Sequence, residues 1–217
     1  MIKACIFDMD GTVVNTINSI AYFANNALNK YGLPSIETEK YKILVGDGAA
    51  VLVERMIKEV GGTAEQEKAV LEEYSTTYDN DFLYLTDAYD GILDMLKQLK
   101  ENNIITAVLS NKPDVTAKKV SDALFGDLMD ICYGGREGIP LKPNPQAAIA
   151  LLDEMGVKPE ECLYVGDTAT DMKTGKGANL YTIGVLWGFR DEKELRDGGA
   201  DCIISSPEDI VRLAKER

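Results

Sequence analysis

A chain of 217 residues, 45% of them hydrophobic, is long enough to bury a full core, but 36 acidic against 23 basic residues leave a formal charge of −13. That balance lacks the clustered Lys and Arg that bind a nucleic-acid backbone, though a small phosphorylated ligand stays open because a metal ion and a few cations can reset a local potential. There is no histidine, which removes His-based phosphatases, Ser-His-Asp hydrolases and His metal sites together.

The chain opens on strand-forming residues, Lys3 to Phe7, that stop on two carboxylates one residue apart, Asp8 and Asp10. Gly11 and Thr12 then turn the backbone into an amphipathic helical pattern. The end of a strand is where a parallel sheet presents catalytic groups. From Thr16 to Phe82 the pattern is helical only, with helices expected over Ile17–Tyr31, Thr38–Leu44, Ala49–Val60 and Ala64–Asn80. This stretch is far longer than a crossover needs and reads as a lid. Beyond it, strands expected at Ile104–Leu109, Asp130–Tyr133, Cys162–Val165, Tyr181–Val185 and Cys202–Ile204 alternate with helices at Ile92–Glu101, Ala117–Leu124, Pro145–Met155 and Asp171–Gly177. The fold class is α/β, a doubly wound parallel sheet with an all-helical cap inserted after the first strand. The expected domains are a core of residues 1–15 and 83–217 and a cap of residues 16–82. No stretch approaches the ~20 apolar residues of a membrane span, and Asp8 and Asp10 interrupt the only early apolar run, so a cytoplasmic protein is expected. Cys5, Cys132, Cys162 and Cys202 fall in predicted strands without metal-ligand spacing and are expected to be buried and reduced.

Phosphoryl transfer asks for an in-line nucleophile, a metal, a proton donor and cations around the transferring oxygens, and the sequence offers candidates for each. Ser110-Asn111 places a hydroxyl and main-chain N–H groups at a strand mouth, where they can hold a phosphate oxygen; Lys112 beside it reads as a solvated charge. Lys142 lies before Pro143-Asn144-Pro145, where Asn144 is expected to cap and Pro145 to open a helix, so its main chain is stiffened. Gly166-Asp167-Thr168-Ala169-Thr170-Asp171 follows the fourth core strand, so its carboxylates emerge on the same sheet edge as Asp8; Thr168 and Asp171 also have the spacing of a capping box. In the cap, Gly46 and Gly48 let main-chain N–H groups of a helix start approach an anion. Asp47 between them reads equally as a helix N-cap, and Arg55 faces either a ligand or solvent. Trp187 reads as a packing residue, and Asp191 with Glu194 as a capping box.

Asp8-Met9-Asp10-Gly11-Thr12, Ser110-Asn111, Lys142 and Gly166–Asp171, in that order, resemble the haloacid dehalogenase-like (HAD) hydrolase superfamily, and most closely its phosphoglycolate phosphatases. The resemblance covers nearly the whole chain. It implies that Asp8 attacks phosphorus to form an aspartyl-phosphate, and that Asp10 protonates the departing alkoxide and then activates water. It implies that Lys142 pairs with the nucleophile and the phosphate, and that Thr12, Ser110, Asn111, Gly46 and Gly48 contact the substrate. Mg2+ would be held by Asp8, the main-chain carbonyl of Asp10 and Asp167, with Asp171 bound directly or through water. The implied activity is magnesium-dependent hydrolysis of a small phosphomonoester, 2-phosphoglycolate being the best single substrate. The implied protein is a monomer or homodimer that binds neither nucleic acid nor membrane. A phosphosugar mutase and a pyrophosphatase of the same superfamily are the rival activities, whereas dehalogenase-type branches lack the second aspartate, Asp10. Asn15 and Thr16 depart from the family's usual acid and serine at the hinge into the cap.

Overall fold

The computed structural model describes all 217 residues. Its elements, in chain order, are β1 (Ala4–Phe7), β2 (Val14–Asn15), α1 (Ile17–Lys30), α2 (Thr38–Leu44), α3 (Ala49–Val60), α4 (Ala64–Asn80), β3 (Asp87–Ala88), α5 (Ile92–Glu101), β4 (Ile105–Pro113), α6 (Asp114–Leu124), β5 (Ile131–Gly135), α7 (Gln146–Met155), β6 (Cys162–Gly166), α8 (Ala169–Gly177), β7 (Tyr181–Val185), α9 (Glu192–Gly198), β8 (Cys202–Ile204) and α10 (Glu208–Glu216). They form two compact units, Met1–Asn15 with Ala88–Arg217, and Thr16–Asp87. The return to the first unit falls after Asp87 rather than after Phe82. The reason is Tyr84, whose ring packs 4.6 Å from Tyr22 and 6.0 Å from Phe23 and so ties the segment past α4 to the helical unit.

In the α/β unit the six-stranded sheet runs β5-β4-β1-β6-β7-β8, every pairing parallel. Parallel strands need crossovers, and the helices that supply them cover both faces. Ala4 and Ile6 of β1 join Leu109, Tyr164 and the α7 residues Ala148 and Leu151 in one cluster. Because side chains alternate along a strand, Cys5 and Phe7 point the other way, and they too are fully buried. Helix α5 shows why such segments are helical. Its buried residues Ile92, Met95, Leu96 and Leu99 recur at the spacing of one helix face, and Gly91 supplies a left-handed turn at its start. The four cysteines are free thiols; Cys5 and Cys162 are buried, and Cys132 and Cys202 half-buried.

Strand β4 departs from expectation. It runs past Leu109 to Pro113, with a register change against β5 between those two residues, so Ser110, Asn111 and Lys112 lie within a buried strand.

The helical unit holds together through an aromatic cluster, in which Tyr78 packs 5.5 Å from Phe23 and 5.6 Å from Tyr74. The Asn25 side chain donates to Ile36 O (2.9 Å) and accepts from Ile36 N (2.8 Å) and the Tyr41 hydroxyl (2.9 Å), which fastens the segment before α2 to α1. No helix of the chain is long and apolar enough to cross a membrane.

Candidate active site

Phe7 pairs with Val108 on one side and Val165 on the other, so Asp8 leaves the carboxyl end of the strand from which the sheet is wound in both directions. Open α/β sheets bind ligands at that switch point, because the crossovers on the two sides diverge and leave a crevice. The Asp8 N–H still donates to Val165 O (2.9 Å), which holds its main chain in the ladder, and its Oδ1 accepts from the Met9 N–H (2.6 Å). Asp167 and Asp171 enter from the end of β6, and the three buried carboxylates offer oxygens within 4.8 Å of one another.

Lys142 offsets part of that charge. Its Nζ lies 2.7 Å from Asp8 Oδ1 and 2.7 Å from Asp171 Oδ1, with a side chain only 2% exposed. Asn111 fastens the lysine's main chain, accepting from Lys142 N (2.8 Å) and donating to Lys142 O (3.1 Å). The Asn111 side-chain amide is thus engaged in placing Lys142. Asn144 receives a hydrogen bond from Gln146 N (2.9 Å), and the helix begins at Gln146, one residue later than expected.

Asp171 serves two purposes at once. Its Oδ2 accepts from Thr168 N (3.1 Å) and Thr168 Oγ1 (2.6 Å), so the capping box of α8 is present, and the box aims Oδ1 at Lys142. Asp167 is held from two other loops: Thr12 Oγ1 donates to its Oδ1 (3.2 Å) and the Phe189 N–H to its Oδ2 (2.7 Å). Two glycines admit this carboxylate. A Cβ on Gly11 would sit 2.2 Å from Asp167 Oδ2, and one on Gly188 would sit 2.3 Å from Asp167 Cβ and 2.4 Å from Gly11 O. Trp187 does more than pack, since its indole N–H donates to Thr12 O (2.9 Å) and braces the loop after β1. Asp191 caps α9 by accepting from Glu194 N (2.9 Å), whereas the Glu194 side chain reaches Arg190 (3.2 Å) and Ala169 N (3.3 Å) instead of closing a box.

The electrostatics follow from crowding acids in a dry site. Burial and the neighbouring Asp171 carboxylate push Asp8 up to about 7, outweighing the downward pull of Lys142. Burial, Asp171 and Asp8 likewise raise Asp167 well above the usual carboxylate range, against the Phe189 N–H and Arg190. Burial opposes the charge on Lys142, but Asp171 and Asp8 win and raise it well above an ordinary lysine. Carboxylates that resist ionising alone and point inward together suit a hard divalent cation, which takes oxygen ligands and supplies the missing positive charge.

Residues 2–179 match the family of haloacid dehalogenase-like hydrolases. A phosphoglycolate phosphatase of Rhodospirillum rubrum is 32% identical over 200 residues, spanning 88% of this chain and 83% of its own length. Phosphoglycolate phosphatase 1 of Pseudomonas aeruginosa is 28% identical over 219 residues, spanning 99% of this chain and 80% of its own. The fold is similar to a crystal structure from Lactobacillus delbrueckii subsp. bulgaricus, provisionally assigned as a phosphoglycolate phosphatase, with a TM-score of 0.93, 29% identity and 98% of each chain covered.

The chain belongs to the haloacid dehalogenase-like hydrolases.

Within them it is a phosphatase. The hydrolase joins Asp8, Asn111, Lys142 and Asp171 in one hydrogen-bonded set at the carboxyl edge of its sheet, and Asp167, held by Thr12, brings its carboxylate close to those of Asp8 and Asp171. Ser110 is buried beside them, its Oγ accepting from Lys112 N (3.2 Å). Gly46 and Gly48 belong to the helical unit, where Gly48 is the N-cap of α3 and both adopt positive φ, +120° and +91°. Asp47 is not that N-cap. Its Oδ2 pairs with Arg55 Nη2 (2.5 Å), while Arg55 Nη1 donates to Leu44 O (2.8 Å), so the arginine closes the loop back on the end of α2.

Lys112 differs from the expectation of its sequence. Lys112 is not solvated: its side chain is 7% exposed, and its Nζ lies 3.1 Å from both carboxylate oxygens of Asp10. Nothing in the local sequence marks this, because it is pairing with β5 that carries the strand past Leu109 and takes Lys112 inside rather than into a loop.

Proposed function

We propose that this phosphatase hydrolyses a small phosphorylated carboxylate, 2-phosphoglycolate, through a phosphoryl group carried transiently on Asp8. The observation that carries the reading is the Asp8 carboxylate at the end of the central strand, 2.7 Å from Lys142 Nζ and beside Asp167. A carboxylate with a fixed main chain and a cation on one oxygen is placed to attack an incoming phosphorus in line. Asp10, two residues on, protonates the leaving oxygen and then takes a proton from the attacking water. Lys142 holds the nucleophile and meets the charge of the transferring phosphoryl oxygens, and the Ser110 hydroxyl with main-chain N–H groups at Ser110-Asn111 receives another of those oxygens. Asp8, Asp167 and the Asp10 main-chain carbonyl would hold Mg2+, with Asp171 acting chiefly through Lys142, to which its Oδ1 is committed. When bound, the ion neutralises the dianionic phosphate and lowers the cost of gathering acids there.

The helical unit serves in this reading as the cap, and its Gly46-Asp47-Gly48 loop receives the substrate's carboxylate on main-chain N–H groups at the start of α3. Asp47 would oppose an anion there, but its pairing with Arg55 balances its charge within the loop. The names of the relatives support the same substrate. Comparing kcat/KM for 2-phosphoglycolate with glycerol, sugar and nucleoside phosphates tests it. The expected preference for 2-phosphoglycolate is at least tenfold, about 1.4 kcal/mol of transition-state discrimination, and an equal preference for any ester without a carboxylate would refute the assignment.

Metal binding has a signature independent of turnover. Asp8 is raised from 3.8 to about 7 in the folded, metal-free protein, so its contribution to stability is present below about pH 4 and is lost as pH rises to about 7. Mg2+ binds the ionised form and restores what is lost. The gain in Tm on adding millimolar Mg2+ is therefore expected to be small at pH 5 and to grow through pH 7. A gain that does not change with pH, measured by thermal denaturation against an EDTA control, would contradict the site.

A further inference from the structure

We propose that Lys112 is the positioning residue for Asp10, fixing its carboxylate for the second half of the reaction; the proposal rests on the reading of Asp10 as acid and base given above. Burying a lysine forfeits hydration and side-chain freedom, so a buried ammonium marks a specific partner. Here the partner lies 102 residues away in sequence, and Nζ stands at the same 3.1 Å from Oδ1 and Oδ2. Contact with both oxygens holds the head of the carboxylate on the ammonium and limits its swing, whereas a hydrogen bond to one oxygen would leave the other free to move. The two buried ammonium groups are divided between the acids: Lys142 serves Asp8 and Asp171, and Lys112 serves Asp10.

In the first step the Asp8–phosphorus bond forms as the ester P–O bond breaks, and the Asp10 proton passes to the leaving oxygen. In the second, water gives its proton to the Asp10 carboxylate as its oxygen bonds phosphorus, and the Asp8–phosphorus bond breaks to release phosphate. A p-nitrophenolate leaves without a proton, so with that substrate Asp10 matters mainly to the second step. Losing the clamp should then slow release of phosphate from the enzyme more than release of the phenolate.

The test is stopped-flow and acid-quench kinetics of Lys112→Met with p-nitrophenyl phosphate and Mg2+. The expected result is a burst of p-nitrophenolate approaching one per active site, then a steady state lowered about 10- to 100-fold, with phosphate retained on the quenched protein. Adding Lys112→Met to Asp10→Asn should cost nothing further, because the lysine acts through that carboxylate. Lys112→Arg keeps the cation and should show a smaller burst; it is judged in the same way if the Met variant loses its near-UV circular dichroism. Linear release from the first turnover, or a full additional loss in the Asp10→Asn background, overturns the proposal. Absence of any phosphoprotein from the parent enzyme and from Asp10→Asn alike would instead overturn the covalent reading on which it rests.

Discussion

Asp8→Asn is expected to abolish turnover and yet to raise the melting temperature. The amide cannot attack phosphorus, and removal of a covalent nucleophile costs roughly a millionfold in rate where such a group has been deleted from an enzyme. Stability moves the other way because the site disfavours the charge that the reaction needs. Burial and Asp171 hold the folded-state pKa of Asp8 near 7, so above that pH the metal-free protein carries an ionised acid that its surroundings resist. A neutral isostere relieves that opposition, a trade of stability against activity common at catalytic centres. Steady-state rates against a purified control and Tm at pH 8 without Mg2+ check both parts. Residual activity within a hundredfold of the parent would remove Asp8 from the role of nucleophile, and a lower Tm would show that its pairing with Lys142 outweighs the burial and repulsion.

Lys142→Met has the opposite pattern, with loss of activity and of stability together. The side chain is 2% exposed and holds Asp8 and Asp171 at 2.7 Å each, so its removal leaves two buried carboxylates without their cation. Breaking a buried pair on one side costs about 3–5 kcal/mol, because the remaining charge is neither solvated nor paired. Protonation offers a way out, so the destabilisation should be largest at pH 8 and shrink at pH 5, where Asp8 is neutral. Catalysis should fall about 100- to 1,000-fold or more, the scale of losing one preorganised group aimed at developing charge. Denaturant unfolding at the two pH values, with kcat on p-nitrophenyl phosphate, provides the check. Equal destabilisation at both would mean that Lys142 contributes by packing alone.

The class of the fold and the identity of the acids are legible in the residues alone. Helices α2, α3, α4 and α5 have the boundaries their periodicity predicts, because turns of helix close through bonds only a few residues long and local signals mark several ends: Gly61 stops α3, Thr63 and Gln66 box the start of α4, and Gly91 precedes α5. Asp8, Asp167 and Asp171 were legible for a similar reason: each follows a short apolar strand, and strand ends of a parallel sheet share one edge. How charge is shared across that edge is set by the folded chain. The end of β4 depends on pairing with β5 some twenty residues away, and the register change there carries Lys112 inward to Asp10. The use of the Asn111 amide to hold the Lys142 main chain, the hold of Phe189 and Thr12 on Asp167, and the pairing of Asp47 with Arg55 are likewise set by chain segments meeting in space. A sequence pattern reports which residues can be buried or charged; which ammonium meets which carboxylate is an outcome of packing, where the cost of an unpaired buried charge selects the arrangement.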